Sequence, residues 1–408
     1  MDKIYENAVK IPEVLPVMPE NQFSMYPRVI GQSARESFTD YSNPRQTEMA
    51  VYPGEDIQKA IDRLNSITGG TLYFREGTHL ISKNLIGYSG LRMKGDPEST
   101  TILDFQEGAY NLSFTGTSVY TTGTITSIAS GVNVTGSGTL WLANASAGMQ
   151  LFIANRWYKI AAVTGDTTLV LSEGYAGNAT LPGSAYRIAY PIIDVDFEDL
   201  TIQNSGGTSI VGTDFRNWTF KNTTLTSSNV GMLLTNGSET TSDSCIITAH
   251  TSDGVQLTNC GFLDLESTTS AGNGRHGWKL TNCETVPITI SGASANTVDG
   301  VNLTDCKRIL LQVAAEGNGE QGIECVSGNS YIFINNGFVR NNTLDGIKLT
   351  ATSDNVIISG AFEISGNGGS GINVAASTDD NTEIGPGVHF DSNTSGAIQD
   401  LGVGTIIR

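Results

Sequence analysis

Three ionisable residues that each stand directly before a glycine recur at a fixed spacing in the second half of the chain. Asp253, His276 and Asp299 are 23 residues apart. If they occupy the same position on successive strands of a stacked sheet, two rung steps separate the carboxylates by about 9.6 Å. That separation lies near the upper end of the range for inverting glycoside hydrolysis, in which one carboxylic acid protonates the leaving oxygen and the other carboxylate activates water. The three residues are therefore candidate catalytic groups.

The same residues also fit a structural role, because aspartate before glycine is common where a chain turns into a strand. We expect their side chains to face outward, beside a second outward column that contains Gln256, Lys279, Asn302, Glu324 and Lys348. In that column Lys279 is a candidate contact for a glycan. Glu316, which is followed by Glu320 and Glu324, is a further candidate catalytic carboxylate. A solvated corner is the alternative interpretation of Glu316.

A cluster of carboxylates precedes these residues in the chain and alternates with apolar residues. The acidic residues are Asp194, Asp196, Glu198 and Asp199. They could bind Ca²⁺, but a half-buried strand with an acidic outer face is the simpler interpretation. The sequence contains no glycine-rich phosphate loop and no metal-binding cluster of cysteine and histidine. We therefore predict neither a metal nor a cofactor.

The candidate residues belong to a repeat of 22 to 25 residues, in which a glycine precedes an apolar residue. The pairs are Gly231-Met232, Gly254-Val255, Gly277-Trp278, Gly300-Val301, Gly322-Ile323, Gly346-Ile347 and Gly371-Ile372. A second buried position follows two residues later in each unit, which indicates a strand with one apolar face. Such units bury that face by stacking in register. The sequence therefore predicts an all-β fold, a right-handed parallel β-helix with rungs of about 23 residues.

Polar and cysteine columns accompany the repeat. One polar column comprises Asn236, Asn259, Asn282, Asp305 and Asn329. We expect these side chains to bond to each other from rung to rung and so to fix the register. Three of the five cysteines, Cys260, Cys283 and Cys306, follow the same spacing, which favours stacked core thiols over disulfides or metal ligands.

The segment 51–111 contains the signals of an N-terminal helix and of the first rungs. Pro53-Gly54 and the acidic pair Glu55-Asp56 precede an amphipathic stretch, and Gly69-Gly70 ends it. Together with Leu72-Tyr73-Phe74, Gly77-Thr78-His79 and Lys94-Gly95, this segment resembles the opening of pectate-lyase-superfamily β-helices that recur in phage tailspikes. We expect the helix to cover the open end of the solenoid.

Residues 112–190 interrupt the repeat with several short alternating stretches. They predict a small inserted domain that resembles a β-barrel, either a spacer or a module that binds a glycan or a partner. If exposed, Trp141, Trp157 and Tyr158 would form a glycan-binding platform. Residues 1–50 contain five prolines without sustained periodicity and are interpreted as an extended arm, with a disordered leader as the alternative.

The resemblance implies two functions. The first is a homotrimeric phage tail spike or fibre that recognises host surface polysaccharide, with or without depolymerase activity, and docks on other tail or baseplate proteins through the arm. The alternative is a free polysaccharide lyase or glycoside hydrolase. The net charge of −18 argues against nucleic acid as a partner, and no apolar run typical of a signal peptide or a membrane span is present. We therefore expect synthesis in the host cytoplasm and a place in the virion tail, where the protein acts outside the host cell.

Overall fold

The computed structural model describes residues 47–66, 69–128, 131–175, 183–350, 352–375, 381–402 and 405–408. Within them the chain forms one large parallel sheet, wound into a solenoid, and one seven-stranded antiparallel sheet. The all-β prediction is confirmed. No helix of the described residues is long and apolar enough to cross a membrane.

The solenoid begins before the inserted domain. Its first elements are β1 (Glu48–Val51), α1 (Ile57–Asn65), β2 (Gly70–Phe74), β3 (Gly77–Leu80), β4 (Leu85–Ile86), β5 (Leu91–Lys94), β6 (Thr101–Asp104) and β7 (Leu112–Thr115). Residues 48–50, which the sequence assigned to the arm, form a strand with parallel pairing to β2. The rest of the predicted arm, residues 1–46, lies outside the described residues. Helix α1 begins after Asp56, whose carboxylate accepts the backbone N–H of Lys59, and it packs four apolar side chains against the first rungs.

The inserted domain contains seven strands and one short helix. They are β8 (Thr117–Tyr120), β9 (Thr124–Ile128), β10 (Asn133–Ser137), α2 (Trp141–Asn144), β11 (Gln150–Ile153), β12 (Arg156–Gly165), β13 (Thr168–Leu171) and β14 (Arg187–Tyr190). The predicted boundary at residue 112 is wrong, because β7 pairs with β4 and with the first half of β17 (Thr208–Lys221) as part of the solenoid. The alternation of Leu112 and Phe114 belongs to the core of the solenoid.

The solenoid continues from residue 192 to the C-terminus. Its remaining strands are β15 (Ile192–Glu198), β16 (Thr201–Gln203), β17, β18 (Thr224–Thr226), β19 (Val230–Asp243), β20 (Ile246–Thr248), β21 (Val255–Thr258), β22 (Asp264–Glu266), β23 (Thr269–Ala271), β24 (Trp278–Thr281), β25 (Glu284–Gly292), β26 (Val301–Thr304), β27 (Lys307–Glu316), β28 (Ile323–Ser327), β29 (Ser330–Arg340), β30 (Ile347–Leu349), β31 (Asp354–Ser365), β32 (Ile372–Val374), β33 (Glu383–Ile384), β34 (Val388–Asp391), β35 (Ile398–Asp400) and β36 (Ile406–Ile407).

Each rung passes through three faces. Face A contains β5, the second halves of β15, β17 and β19, and β22. Face B contains β6, β16, β18, β20 and β23, and face C contains β7, β21, β24, β26, β28 and β30. Longer strands such as β25, β27 and β29 bend through a corner and contribute to faces A and B. The inserted domain leaves the solenoid at the corner between faces C and A, after β7.

The core is built by the apolar columns that the repeat predicts. Val255, Trp278 and Val301 are in register on face C, and Ile288, Leu311 and Ile334 are in register on face A. All six side chains are buried. The stacking of identical positions therefore turns a small apolar face on each rung into one continuous core.

A buried ladder of asparagine amides lines the corner between faces B and C. This ladder comprises Asn273, Asn296, Asn318, Asn342 and Asn367. From Asn296 onward, each Oδ1 accepts both the backbone N–H and the amide Nδ2 of the asparagine one rung earlier. Glycines at positive φ start three of these corners, including Gly272 and Gly317. The sequence Gly-Asn-Gly occurs at this corner three times, at 272–274, 317–319 and 366–368, because glycine adopts positive φ without steric cost.

A second, outer ladder follows the corner between faces C and A. Asn236 donates to Asp214, Asn259 to Asn236, and Asn282 to Asn259, at 2.8–3.1 Å. The predicted ladder is confirmed for these residues, but Asn329 belongs to another column. Its Oδ1 accepts the backbone N–H of Cys306, because Gly328 takes the positive-φ position of the turn.

The cysteine column lies next to this ladder, inside the core. All five cysteines are free and buried. Cys260, Cys283 and Cys306 each donate their Sγ hydrogen to backbone carbonyls of the preceding rung. The interpretation of these residues as stacked core thiols is confirmed.

Candidate functional site

The column of Asp253, His276 and Asp299 lies on successive rungs, as its spacing predicts, because the strands that follow these residues pair in register. The side chains are nevertheless buried, with exposed fractions of 0% for Asp253, 6% for His276 and 1% for Asp299. The prediction that they face outward is therefore wrong.

Hydrogen bonds between rungs explain this burial. The three residues lie in the corner before face C, where a buried backbone N–H of the next rung needs an acceptor. Asp253 Oδ1 accepts the backbone N–H of His276 at 3.0 Å, and Asp299 Oδ1 accepts that of Gln321 at 3.1 Å. The second oxygens accept the side-chain amides of Gln256 (2.6 Å) and Asn302 (2.9 Å). Both carboxylates therefore already have partners within the fold.

The other two candidates on the solenoid are more accessible. Glu316, at the end of β27, forms an ion pair with Arg340 at 3.0 Å, and this guanidinium lowers the pKa of the carboxyl below its ordinary value. Lys279 lies on the outward side of face C between Gln256 and Asn302 and is half-buried. Glu316 is not part of the buried column, and the catalytic role of Glu316 and the glycan contact of Lys279 remain predictions.

Each carboxylate of the acidic segment 194–199, in β15 and directly after it, has a partner. Asp194 and Asp199 accept the amides of asparagines on the next rung at 2.6 Å. Asp196 pairs with Arg92 at 3.1 Å, and Glu198 pairs with Lys94 and Lys221. Within the described residues, no group of three histidine, cysteine, aspartate or glutamate side chains is arranged to hold a metal ion.

The three aromatic candidates of the inserted domain do not form an exposed platform. Trp141 is 0% and Tyr158 is 2% exposed, and both lie in the core of the inserted domain. Trp141 Nε1 donates to the hydroxyl of Tyr186 at 2.9 Å. The prediction of an exposed platform is wrong, because the small domain uses these large side chains as its core.

Trp157 instead attaches the inserted domain to the solenoid. Its side chain is 0% exposed, and its indole Nε1 donates to the backbone carbonyl of Asn236 at 2.8 Å. Two positions earlier in the chain, the amide of Asn155 donates to the carbonyl of Asn282 at 2.6 Å. The turn between β11 and β12 therefore rests on the outer asparagine ladder.

Ion pairs strengthen the same contact. Arg187 of the inserted domain pairs with the buried Asp214 at 2.7 Å. Arg156 pairs with Glu239 at 3.1 Å, and Arg216 of the solenoid pairs with the same carboxylate at 2.6 Å. Partly buried charge-assisted contacts of this kind hold a fixed orientation, so the inserted domain has a defined position over the corner of the solenoid.

A groove of about 450 Å³ lies between the two parts. The inserted domain contributes residues 152–155 and 184–187, and the solenoid contributes the ladder residues together with Cys283, Glu284, Asp305 and Lys307. Asp305 and Lys307 are exposed, and Glu284, which pairs with Arg308, is half-buried. This volume lies within the usual range for ligand sites.

The groove presents carboxylates, an ammonium group and amides over several successive rungs. These groups offer donors and acceptors that complement the hydroxyl groups of a sugar chain. Glu284, Lys307 and Asn155 were not among the site residues predicted from the sequence. One feature of the sequence did point to this site. Asp305 replaces asparagine in the outer column, on the rung that follows Asn282, where the hydrogen-bonded ladder ends.

The chain is a right-handed parallel β-helix, and the model of the right-handed β-helix region matches residues 192–338. It belongs to the rhamnogalacturonase A/epimerase, pectate-lyase-like family, whose model matches residues 54–261, slightly more than half of the chain. The predicted resemblance is thereby confirmed. No curated protein sequence matches the chain.

Solved structures share the fold at low sequence identity. The A-module of mannuronan C-5 epimerase AlgE4 from Azotobacter vinelandii is similar with a TM-score of 0.53 and 16% identity, over 86% of this chain and 94% of that chain. The Gp54 tailspike of Acinetobacter baumannii bacteriophage AP22, solved with capsular saccharide, has a TM-score of 0.39 and 12% identity over 83% and 67% of the two chains. The tailspike gp61 of Pseudomonas phage phi297 has a TM-score of 0.43 and 11% identity, over 84% of this chain and 69% of that chain. At these identities the likeness concerns the fold alone.

Proposed function

We propose that this protein binds a polysaccharide in the groove between the inserted domain and the solenoid. The observation that carries the proposal is the groove itself, in which a fixed polar wall spans several rungs. Trp157, Asn155 and Arg187 hold the inserted domain in place, so little ordering of the protein is needed when a ligand enters. Asp305, Lys307 and Glu284 supply groups for hydrogen bonds to sugar hydroxyls.

The proposed setting is the tail of a phage, where the protein recognises a host surface polysaccharide outside the cell. The resemblance of residues 55–95 to the β-helices of phage tailspikes supports this setting. The segment 1–46 then serves as the docking arm for other tail or baseplate proteins, and the chain forms a homotrimer.

A second candidate function is cleavage of the bound polysaccharide, either in the virion or as a free hydrolase or lyase. The family favours it, since its description includes a rhamnogalacturonase and an epimerase. The groove also contains two carboxylates on neighbouring rungs, Glu284 and Asp305. Two carboxyl groups beside a glycosidic bond are the usual requirement for hydrolysis.

Binding of purified host capsule or O-antigen, measured by calorimetry, tests the first proposal. We expect Asp305→Ala and Lys307→Ala each to weaken binding about tenfold, because a lost hydrogen bond to a charged group costs about 1.5 kcal/mol. Lys221→Ala, at the end of β17 and outside the groove, is the matched control and should leave the affinity unchanged, whereas Lys279→Ala tests the alternative glycan contact on face C. Wild-type affinity in both groove variants, or a loss confined to Lys279→Ala, would contradict the proposal.

Release of reducing ends or unsaturated products from the same polysaccharide tests cleavage. If the groove is the catalytic site, Glu284→Gln or Asp305→Asn abolishes release, and Glu316→Gln does not. If the wild type binds the polysaccharide but releases no product, the cleavage function is refuted and only the binding function stands.

A further inference from the structure

An apolar strip runs along the outside of face A over four successive rungs. It comprises Pro287, Leu310, Phe333 and Ile357, which are in register from strand to strand. Phe333 is 38% exposed, and the other three side chains are half-buried. On the neighbouring outward positions, Tyr331 is 51% and Ile290 is 71% exposed.

The fold does not require apolar residues at these positions. In the preceding rungs the same outward column contains Asp196, Thr219, Thr241 and Asp264, and in the following rung it contains Glu383. On the rungs of the strip, the inward positions Ile288, Leu311 and Ile334 are apolar and fully buried, which is enough to form the core. The outward column changes from polar to apolar and back, although the stability of the single chain does not require apolar residues there. An exposed apolar patch of this kind indicates an interaction surface.

We propose that this strip is the surface through which copies of this chain associate. Its apolar side chains recur at the rung spacing of about 4.8 Å, and the strip of another copy has the same period and length. The side chains of two strips can therefore pack between each other along the whole contact.

The charges around the strip also favour a second copy of this chain as the partner. The chain has a net charge of −18, so most of its surface repels another copy. The flanking outward residues Gln312, Asn335 and Ser359 are uncharged, and the neighbouring Arg308 is paired with Glu284. Copies can approach along this strip without like charges facing each other. The strip would be the contact surface of the homotrimer proposed above. This proposal rests on the strip and does not depend on polysaccharide binding.

The mass in solution of the full chain tests the proposal by light scattering at micromolar concentration. We expect the wild type to have a multiple of 43.2 kDa and the double variant L310K/F333K to have 43.2 kDa, with unchanged circular dichroism. The matched control is T219K/T241K, in the same outward column of earlier rungs, which should keep the wild-type mass. If the lysine variant misfolds, L310S/F333S replaces it with a smaller perturbation and the same expected dissociation.

Three results would overturn the proposal. The first is a wild-type mass of 43.2 kDa, which is that of a single chain. The second is a folded double variant that has the same oligomeric mass as the wild type. The third is loss of polysaccharide binding in a double variant that stays oligomeric, which would identify the strip as a platform for sugar rings. The groove variants Asp305→Ala and Lys307→Ala should leave the mass unchanged, so the two proposals can fail separately.

Discussion

Removal of one amide from the buried asparagine ladder should destabilise the solenoid strongly. Asn318 is 0% exposed, and its Oδ1 accepts the backbone N–H of Asn296 at 3.1 Å. Its Nδ2 donates to the carbonyl of Ala293 at 2.9 Å. Asn318→Ala therefore leaves two buried backbone groups without these partners.

The expected loss follows from those two groups. An unsatisfied buried backbone group costs about 1–3 kcal/mol, so Asn318→Ala should lower the free energy of unfolding by about 4 kcal/mol. Asn318→Ser should recover part of the loss, because Ser228 already serves as an acceptor in this column, where its Oγ accepts the N–H of Ser205 at 3.1 Å. The matched control is Asn341→Gly, because the exposed Asn341 has positive φ and the same corner position is glycine at Gly317 and Gly366. Its expected change is below about 0.5 kcal/mol.

Chemical denaturation followed by circular dichroism measures the stability, and amide hydrogen exchange measures the local effect at Asn296. We expect faster exchange of the Asn296 N–H in Asn318→Ala and not in Asn341→Gly. A loss of less than about 1 kcal/mol with unchanged exchange at Asn296 would refute the role assigned to the ladder.

Three further predictions concern pH, domain docking and the buried acidic column. Burial lowers the pKa of His250 to about 4, from an ordinary value of 6.5. The unfolded chain therefore takes up a proton between pH 6.5 and pH 4 while the folded chain does not, and up to about 3 kcal/mol of stability is lost as the pH falls through that window. In denaturation series at several pH values, His250→Asn should remove this loss, since asparagine continues the ladder without titrating, whereas the exposed His389→Asn should keep it. Trp157→Ala should detach the inserted domain from the solenoid, measured as faster cleavage by protease in the inserted domain and at least tenfold weaker polysaccharide binding. Equal protease resistance would show that the indole does not hold the domain. Asp299→Asn should keep polysaccharide binding, and any product release, at the wild-type level while lowering the melting temperature. Loss of release without loss of stability would return Asp299 to a catalytic role.

The period of the apolar residues was sufficient to predict the β-helix, because stacking is the only way in which such short units bury their strands. It also placed Asn236, Asn259 and Asn282 in one outer column. The buried column of His250, Asn273 and Asn296 was not predicted, because spacing alone does not show which polar side chains are buried. The shift at Asn329 follows from the spacing, since a step of 23 residues from Asp305 reaches Gly328 and not Asn329, and Gly328 has the positive φ of this turn.

The orientation of the corner residues was the main error in the predicted site. Alternation determines which side chains point inward within a strand, but Asp253 and Asp299 lie before the strand begins. There the need of backbone N–H groups for acceptors decides the orientation. Likewise, exposure could not be inferred for Trp141 and Trp157, because a small domain and its docking contact both require large apolar side chains.

The groove depends on contacts between segments that are far apart in the chain. Asn155 and Asn282 are 127 residues apart and meet only because the inserted domain folds back over the corner of the solenoid. The repeat predicts the solenoid wall of the groove, but the opposite wall follows from the tertiary position of an insertion whose strands have another topology. Sequence patterns therefore indicated one half of the site.

A crystal structure of the protein with an oligosaccharide from the host polysaccharide tests the central claim most directly. We predict that the sugar lies between the turn at Asn155 and the solenoid wall, with hydroxyl groups bonded to Asp305 and Lys307. Sugar bound only on the outward side of face C near Lys279, or on the apolar strip, with the groove empty would contradict it.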